Sequence, residues 1–131
     1  MKDSPKTESH QKTILVVDDE PRILAYVSGL LADSNYAVLT AKCGEEAMQE
    51  STQYKHEIHL LLSDFQMPGM SGVDLATEIT RERPEIKVLL MSGFPGGMLV
   101  LNEGWHFLAK PFIPSQLRAL IVGLLGDSKR Y

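Results

Sequence analysis

The sequence is poor in cysteine: Cys43 is the single one in 131 residues. A lone cysteine cannot staple a fold, and such usage fits a reducing compartment. Long apolar runs are missing too. None approaches the roughly 20 residues that a helix needs to span a bilayer. Basic excess is also absent, and the net charge of −4 gives no electrostatic footprint for nucleic acid or an anionic membrane. The first 12 residues, MKDSPKTESHQK, lack the apolar core of a signal peptide. Together these absences predict a cytoplasmic protein with no direct nucleic-acid or membrane partner.

What is present is an ordinary globular composition. The chain is 44% hydrophobic and 23% charged, which separates it from disordered sequences. Its length suits one domain with one ordinary core. The reading is a flexible tail over 1–12, a folded body over 13–126 and a short tail over 127–131. No internal repeat or low-complexity segment interrupts it.

Thr13–Asp18 (TILVVD) is a short apolar, β-branched run. It is too continuous for a half-exposed strand and predicts one covered on both faces. Pro21 then suits the first turn of a helix. Ile23, Leu24, Val27, Leu30 and Leu31 recur at helical spacing, with Asn35 as the stop. Tyr36–Ala41 predicts a second strand, and Gly44 starts a second helix. Ile58–Ser63 predicts a third buried strand that ends at Asp64. Ser71 is a candidate N-cap for a third helix running to about Arg83, which Pro84 breaks. Ile86–Met91 and Trp105–Ala109 predict strands four and five, and Ile113–Leu125 the last helix. Strands alternating with helices imply an α/β domain, a doubly wound parallel sheet with helices on both faces.

The stretch from Phe94 to Gly104 holds three glycines and a proline in eleven residues. An interior glycine costs about 1 kcal/mol of helix stability relative to alanine. This predicts a short or irregular fourth helix, at most two turns around Met98–Glu103.

In an open parallel sheet, ligands bind beyond the carboxyl ends of the strands. Strand one ends in Asp18-Asp19, strand three in Asp64, strand four in Ser92-Gly93 and strand five in Lys110-Pro111. Three carboxylates, a hydroxyl and an ammonium should therefore converge. Clustered carboxylates repel one another unless a cation joins them. A hard, oxygen-preferring ion such as Mg²⁺ (or Mn²⁺) resolves that conflict. A carboxylate held beside such an ion and a lysine is a competent phosphoryl acceptor, because both cations stabilise charge on the equatorial oxygens. Taken singly, each residue has a plainer reading: Asp18 a helix cap, Lys110 a solvated lysine, Ser92 a turn residue. Their joint placement at different strand ends favours the site.

Four segments, in order, resemble the receiver domains of two-component response regulators. They are Ile14–Pro21 (ILVVDDEP), Leu61–Gly72 (LLSDFQMPGMSG), Val88–Gly93 (VLLMSG) and Phe107–Phe112 (FLAKPF). The resemblance covers about residues 12–126. It implies the flavodoxin-like strand order 2-1-3-4-5. It implies that Asp64 is phosphorylated, that Asp19 binds the metal directly, and that Asp18 acts beside it, usually through water. The backbone carbonyl of Gln66 would be a further metal ligand. Lys110 would contact the phosphoryl group, across a cis Lys110–Pro111 bond. Ser92 and Phe107 would be the switch hydroxyl and the switch aromatic.

By the same resemblance, the donor is a phosphohistidine on a histidine kinase or phosphotransfer protein. The signal would pass to a downstream protein by conformational change, and the chain would catalyse only its own phosphorylation and dephosphorylation. No output domain follows residue 126, so output is expected through a partner or a larger parent chain. The ending FLAKPF together with Ser92-Gly93-Phe94 resembles receivers attached to hybrid sensor kinases.

Some positions depart from the family pattern. Phe107 is not tyrosine, so no phenolic hydrogen bond can hold its inward state. Phe94 is expected to restrict the attacking water and lengthen the phosphoaspartate lifetime. Lys110 follows Ser92 by 18 positions, a spacing a few residues shorter than is usual. The missing residues fall where many receivers dimerise, so a monomer or a dimer built elsewhere is expected.

The same residues argue against three other functions. A metal-dependent aspartyl phosphatase would place an Asp-x-Asp nucleophile on strand one, where this chain has adjacent Asp18-Asp19. A non-phosphorylated binding module would usually have lost an acid or the lysine. A flavin carrier would want a Ser/Thr/Gly-rich loop after strand one, where this chain has Asp-Glu-Pro-Arg. His56, His59, His106, Cys43, Met67, Met70 and Trp105 read as structural.

Overall fold

Every residue of β1 (Thr13–Val17) is buried. That is the expected fate of an apolar run with no polar alternation. The structure, a computed structural model, describes residues 11–93 and 104–126. After β1 come α1 (Pro21–Asp33), β2 (Ala37–Ala41), α2 (Gly44–Gln53), β3 (Leu60–Asp64) and α3 (Gly72–Glu82). They are followed by β4 (Lys87–Ser92), β5 (Trp105–Ala109) and α4 (Pro114–Leu125). All five strands are parallel, in the order β2-β1-β3-β4-β5. The doubly wound α/β sheet expected from the sequence is therefore present.

Alternation within the strands divides the core in two. Ile14, Val16, Leu60, Leu62, Leu89 and Met91 face one side, with Val27 and Leu31 of α1 and Leu117 and Ile121 of α4. Leu15, Val17, Leu61, Val88 and Leu90 face the other, with Ala47 of α2 and Leu75, Ala76 and Ile79 of α3. Successive strand residues point to opposite faces, so a strand covered on both sides must be apolar at every position. The edge strands β2 and β5 are only partly buried.

Element boundaries differ from the sequence reading by one or two residues. Ile58 is buried but precedes β3, which begins at Leu60 and includes Asp64. Here the Thr13 N–H donates to His59 Nδ1 at 3.0 Å, and the His59 N–H donates to the Thr13 carbonyl at 2.8 Å. The imidazole acts as a structural acceptor at the strand entrance. β4 runs through Ser92 rather than stopping at Met91. Ile113 is the N-cap of α4, and Pro114 takes the first helical position, where its missing N–H costs nothing.

Asn35 takes a left-handed φ of 74°, consistent with its reading as the stop of α1. Ser71 caps α3: its hydroxyl accepts from the Asp74 N–H at 3.1 Å, and the Asp74 carboxylate accepts from the Ser71 N–H. The helix expected around Met98–Glu103 lies outside the described residues, as do residues 1–10 and 127–131.

One cross-link was invisible in the sequence. The Arg83 guanidinium, just past α3, donates to Ser51 Oγ and the Ser51 carbonyl at 2.8 Å each. It also donates to the carbonyls of Tyr54 at 2.9 Å and His56 at 3.0 Å. It satisfies carbonyls that the end of α2 leaves without helical partners.

Candidate functional site

Parallel pairing delivers the carboxyl ends of β1, β3, β4 and β5 to one edge of the sheet. Asp18 follows β1 directly, Asp64 ends β3, Ser92 ends β4, and Lys110 follows β5. Register keeps these ends level, since Val17 pairs with Ser63, Asp64 with Met91 and Ser92 with Ala109.

Asp18 is 1% exposed. Its Oδ1 accepts the Glu20 N–H at 2.9 Å, which fixes the turn into α1. Asp18 is therefore not the helix cap that its plainer reading suggests: Glu20 is the N-cap of α1, without a side-chain cap bond, and the Asp18 contact is an Asx turn ahead of the helix. The other Asp18 oxygen, Oδ2, has no hydrogen-bond partner among the described residues, and it lies 3.6 Å from Lys110 Nζ. The same Nζ donates to Asp64 Oδ1 at 3.1 Å. One ammonium therefore bridges the carboxylates of β1 and β3. The Lys110 backbone is also held, because its N–H donates to the Ser92 carbonyl at 2.7 Å. The Lys110–Pro111 peptide is cis, as the family resemblance implies.

Asp18, Asp19 and Asp64 each offer a carboxylate oxygen, and these oxygens lie within 4.8 Å of one another. Asp18 is buried, Asp64 partly buried and Asp19 exposed. Burial raises the Asp18 carboxyl above its ordinary pKa. The Glu20 N–H and Lys110 pull it down, while Asp64 and Asp19 push it up. The net direction is upward, so one lysine does not compensate the buried charge. An all-oxygen cluster with an orphaned buried oxygen fits a hard divalent cation.

This predicts a stability inversion. A carboxyl with a raised folded-state pKa stabilises the fold when protonated, and that contribution is lost as pH rises through the folded value. At neutral pH and without divalent metal, Asp18→Asn should therefore stabilise the chain by about 1 kcal/mol, roughly 4 °C in melting temperature. Saturating Mg²⁺ should reverse the order, since a ligand at 100 times its Kd adds about 2.7 kcal/mol to the protein that binds it. Thermal melts in EDTA and in Mg²⁺ check this, and a variant less stable than wild type in EDTA contradicts it.

Among the remaining sequence candidates, Ser92 ends β4, Phe107 lies within β5 and Gln66 follows β3. Ser92 is buried at 3% exposure. Phe107 is half-buried on β5, and its ring meets that of Phe65 edge to face, with centroids 6.2 Å apart. Phe65 was not singled out from the sequence, because its partner is 42 positions away and only strand register brings the rings together. Gln66 is exposed and lines a surface cleft with Met67, Pro68 and Ser71. Phe94 lies outside the described residues. His56, His59 and Cys43 join no cluster of metal-ligand type among the described residues.

A family model described as the response regulator receiver domain matches residues 14–122. The chain belongs to that family. The two-component response regulator ORR3 of Oryza sativa subsp. indica is 34% identical over 122 residues, spanning 88% of this chain and 90% of that protein. The hydrogenase transcriptional regulatory protein HoxA of Cupriavidus necator is 30% identical over 92% of this chain, which spans only 27% of HoxA. The response regulator protein TrrA of Thermotoga maritima, solved in complex with Mg(2+)-BeF, superposes with a TM-score of 0.78 at 31% identity. That match covers 88% of this receiver and all of TrrA. No helix among the described residues is long and apolar enough to cross a membrane.

Proposed function

We propose that this receiver is a phosphorylation-dependent signalling switch in which Asp64 is the phosphoryl acceptor. The observation that carries the reading is the Lys110 ammonium set 3.1 Å from Asp64 Oδ1 and 3.6 Å from Asp18 Oδ2, within a three-carboxylate cluster. The donor is a phosphohistidine of a histidine kinase or phosphotransfer protein. An Asp64 oxygen attacks phosphorus, the P–N bond breaks, and the imidazole leaves with the electron pair. Lys110 neutralises an oxygen of the transferred group.

Asp18, Asp19, Asp64 and the Gln66 carbonyl would hold a divalent cation, Mg²⁺ or Mn²⁺. When bound, that cation supplies positive charge against the phosphoryl oxygens. The Ser92 hydroxyl and the Phe107 ring then report the new anion by changing position. Phe107 is held by packing alone, so its contact with Phe65 contributes to setting where it rests. A protein partner reads that change. On this reading the chain turns over nothing except its own acyl phosphate, and it works in the cytoplasm, where its single cysteine stays reduced.

The test is incubation with Mg²⁺ and a small phosphodonor such as acetyl phosphate, followed by intact and peptide mass measurement. The expected result is one hydroxylamine-labile phosphoryl group on the peptide containing Asp64, and none in EDTA. A modification elsewhere, or none in Mg²⁺, overturns the reading.

A further inference from the structure

The first residue of α3, Gly72, sits where no side chain fits. A Cβ there would overlap the Asp64 carbonyl oxygen and lie 3.0 Å from both Cα and the carbonyl oxygen of Phe65. The obstacle is backbone, which cannot swing aside as the end of a side chain can. Gly72 is helical, with no positive φ, so the requirement is space and not conformation.

Three further contacts fix the same two residues. The Gly72 N–H donates to the Phe65 carbonyl at 2.9 Å, and the Phe65 N–H donates to the Met91 carbonyl at 2.7 Å. The hydroxyl of Ser63, which is fully buried, donates to the Asp64 carbonyl at 2.9 Å. These contacts pin the backbone between the Asp64 carboxylate and the Gln66 carbonyl.

We propose that Gly72 is a positioning residue of the site. Its missing side chain lets α3 seat against Asp64–Phe65, and that seat sets how the Asp64 carboxylate and the Gln66 carbonyl face a divalent cation. The proposal rests on the metal-centre reading given above and adds a residue that touches neither metal nor phosphate.

Gly44 provides a matched control. A Cβ there would meet the Met70 side chain at 2.7–2.9 Å, an overlap with a side chain and not with the acceptor's backbone. Wild type, Gly72→Ala and Gly44→Ala are titrated with Mg²⁺ by isothermal calorimetry without phosphodonor, and their unfolding is followed in EDTA. Both variants should lose stability. Gly72→Ala should weaken Mg²⁺ binding at least tenfold, while Gly44→Ala stays within threefold of wild type. Binding by Gly72→Ala within twofold of wild type, or equal weakening in both variants, overturns the proposal.

Should Gly72→Ala fail to fold, Ser63→Ala removes only the hydroxyl on the same carbonyl and should weaken Mg²⁺ binding threefold or more. Unchanged affinity in Ser63→Ala then overturns it. A wild type that binds no Mg²⁺ defeats the metal-centre reading itself, and that result is distinguishable from failure of the Gly72 proposal.

Discussion

Asp64→Asn is expected to lower phosphoryl uptake from acetyl phosphate by at least a thousandfold while leaving the fold intact. The amide has the shape of the carboxylate but no anionic oxygen to attack phosphorus. A neighbouring acid is poorly placed to take over. Asp18 is 1% exposed, and its Oδ1 is occupied by the Glu20 N–H. Asp19 is exposed, and no ion pair links it to Lys110 among the described residues, whereas Asp64 has its oxygen 3.1 Å from that ammonium. The fold should tolerate the change, because Asp64 sits at a strand end with side-chain contact to Lys110 and the buried cores lie beneath it. Uptake is measured as the rate of mass gain in Mg²⁺, with circular dichroism confirming the fold. The same modification on Asp64→Asn at the wild-type rate would remove Asp64 from the mechanism. Asp19→Asn is the informative companion: it should weaken Mg²⁺ binding and slow uptake, yet leave the modification on Asp64.

Much of this architecture was legible because β1, β3 and β4 are buried on both faces. Their runs Ile14–Val17, Leu60–Leu62 and Val88–Met91 admit almost no polar residue, and the helices between them show apolar residues at helical spacing. Strand ends were legible for a related reason. Each apolar run gives way to a polar residue at the carboxyl end of its strand, at Asp18, Asp64 and Ser92, although Asp18 and Ser92 are themselves buried. The boundaries were less legible. Ile58 looks like strand by composition, but it is buried ahead of the ladder, and His59 enters by donating and accepting with Thr13 instead.

The convergence of Lys110 with the acids was expected from the strand ends, but the particular long-range contacts could not be read from one sequence. The shared ammonium of Lys110, the edge-to-face pair of Phe65 and Phe107, and the fan of Arg83 bonds all join residues more than 25 positions apart. Each depends on register between strands or on helix placement, which local pattern does not encode. Gly72 is similar. Sequence presents it as one glycine in a turn-rich segment, and only the packed α3 shows that a methyl group there would strike Asp64.

Lys110→Ala should separate binding from chemistry. The ammonium pairs with Asp64 and with the orphaned oxygen of Asp18, so it competes with a cation for the same carboxylates as well as serving the phosphoryl group. Its loss leaves two close carboxylates without their protein cation. The metal-free variant should therefore be less stable by about 1–2 kcal/mol, a fraction of the cost of breaking a fully buried pair because Lys110 is 25% exposed. Mg²⁺ affinity should stay equal or rise, since the cation now meets more uncompensated negative charge. Phosphoryl uptake should nevertheless fall by 100-fold or more, the usual loss when one preorganised donor to a developing oxyanion is removed. Lys110→Arg should not restore the rate, because a planar guanidinium cannot take the compact position that one Nζ holds between two carboxylates. Calorimetric Mg²⁺ titration and the rate of mass gain, run on the same preparations, give the two readouts. Uptake within threefold of wild type in Lys110→Ala would show that Lys110 is a structural counter-ion only, and a parallel loss of Mg²⁺ binding would show that it shapes the metal centre and not the transfer.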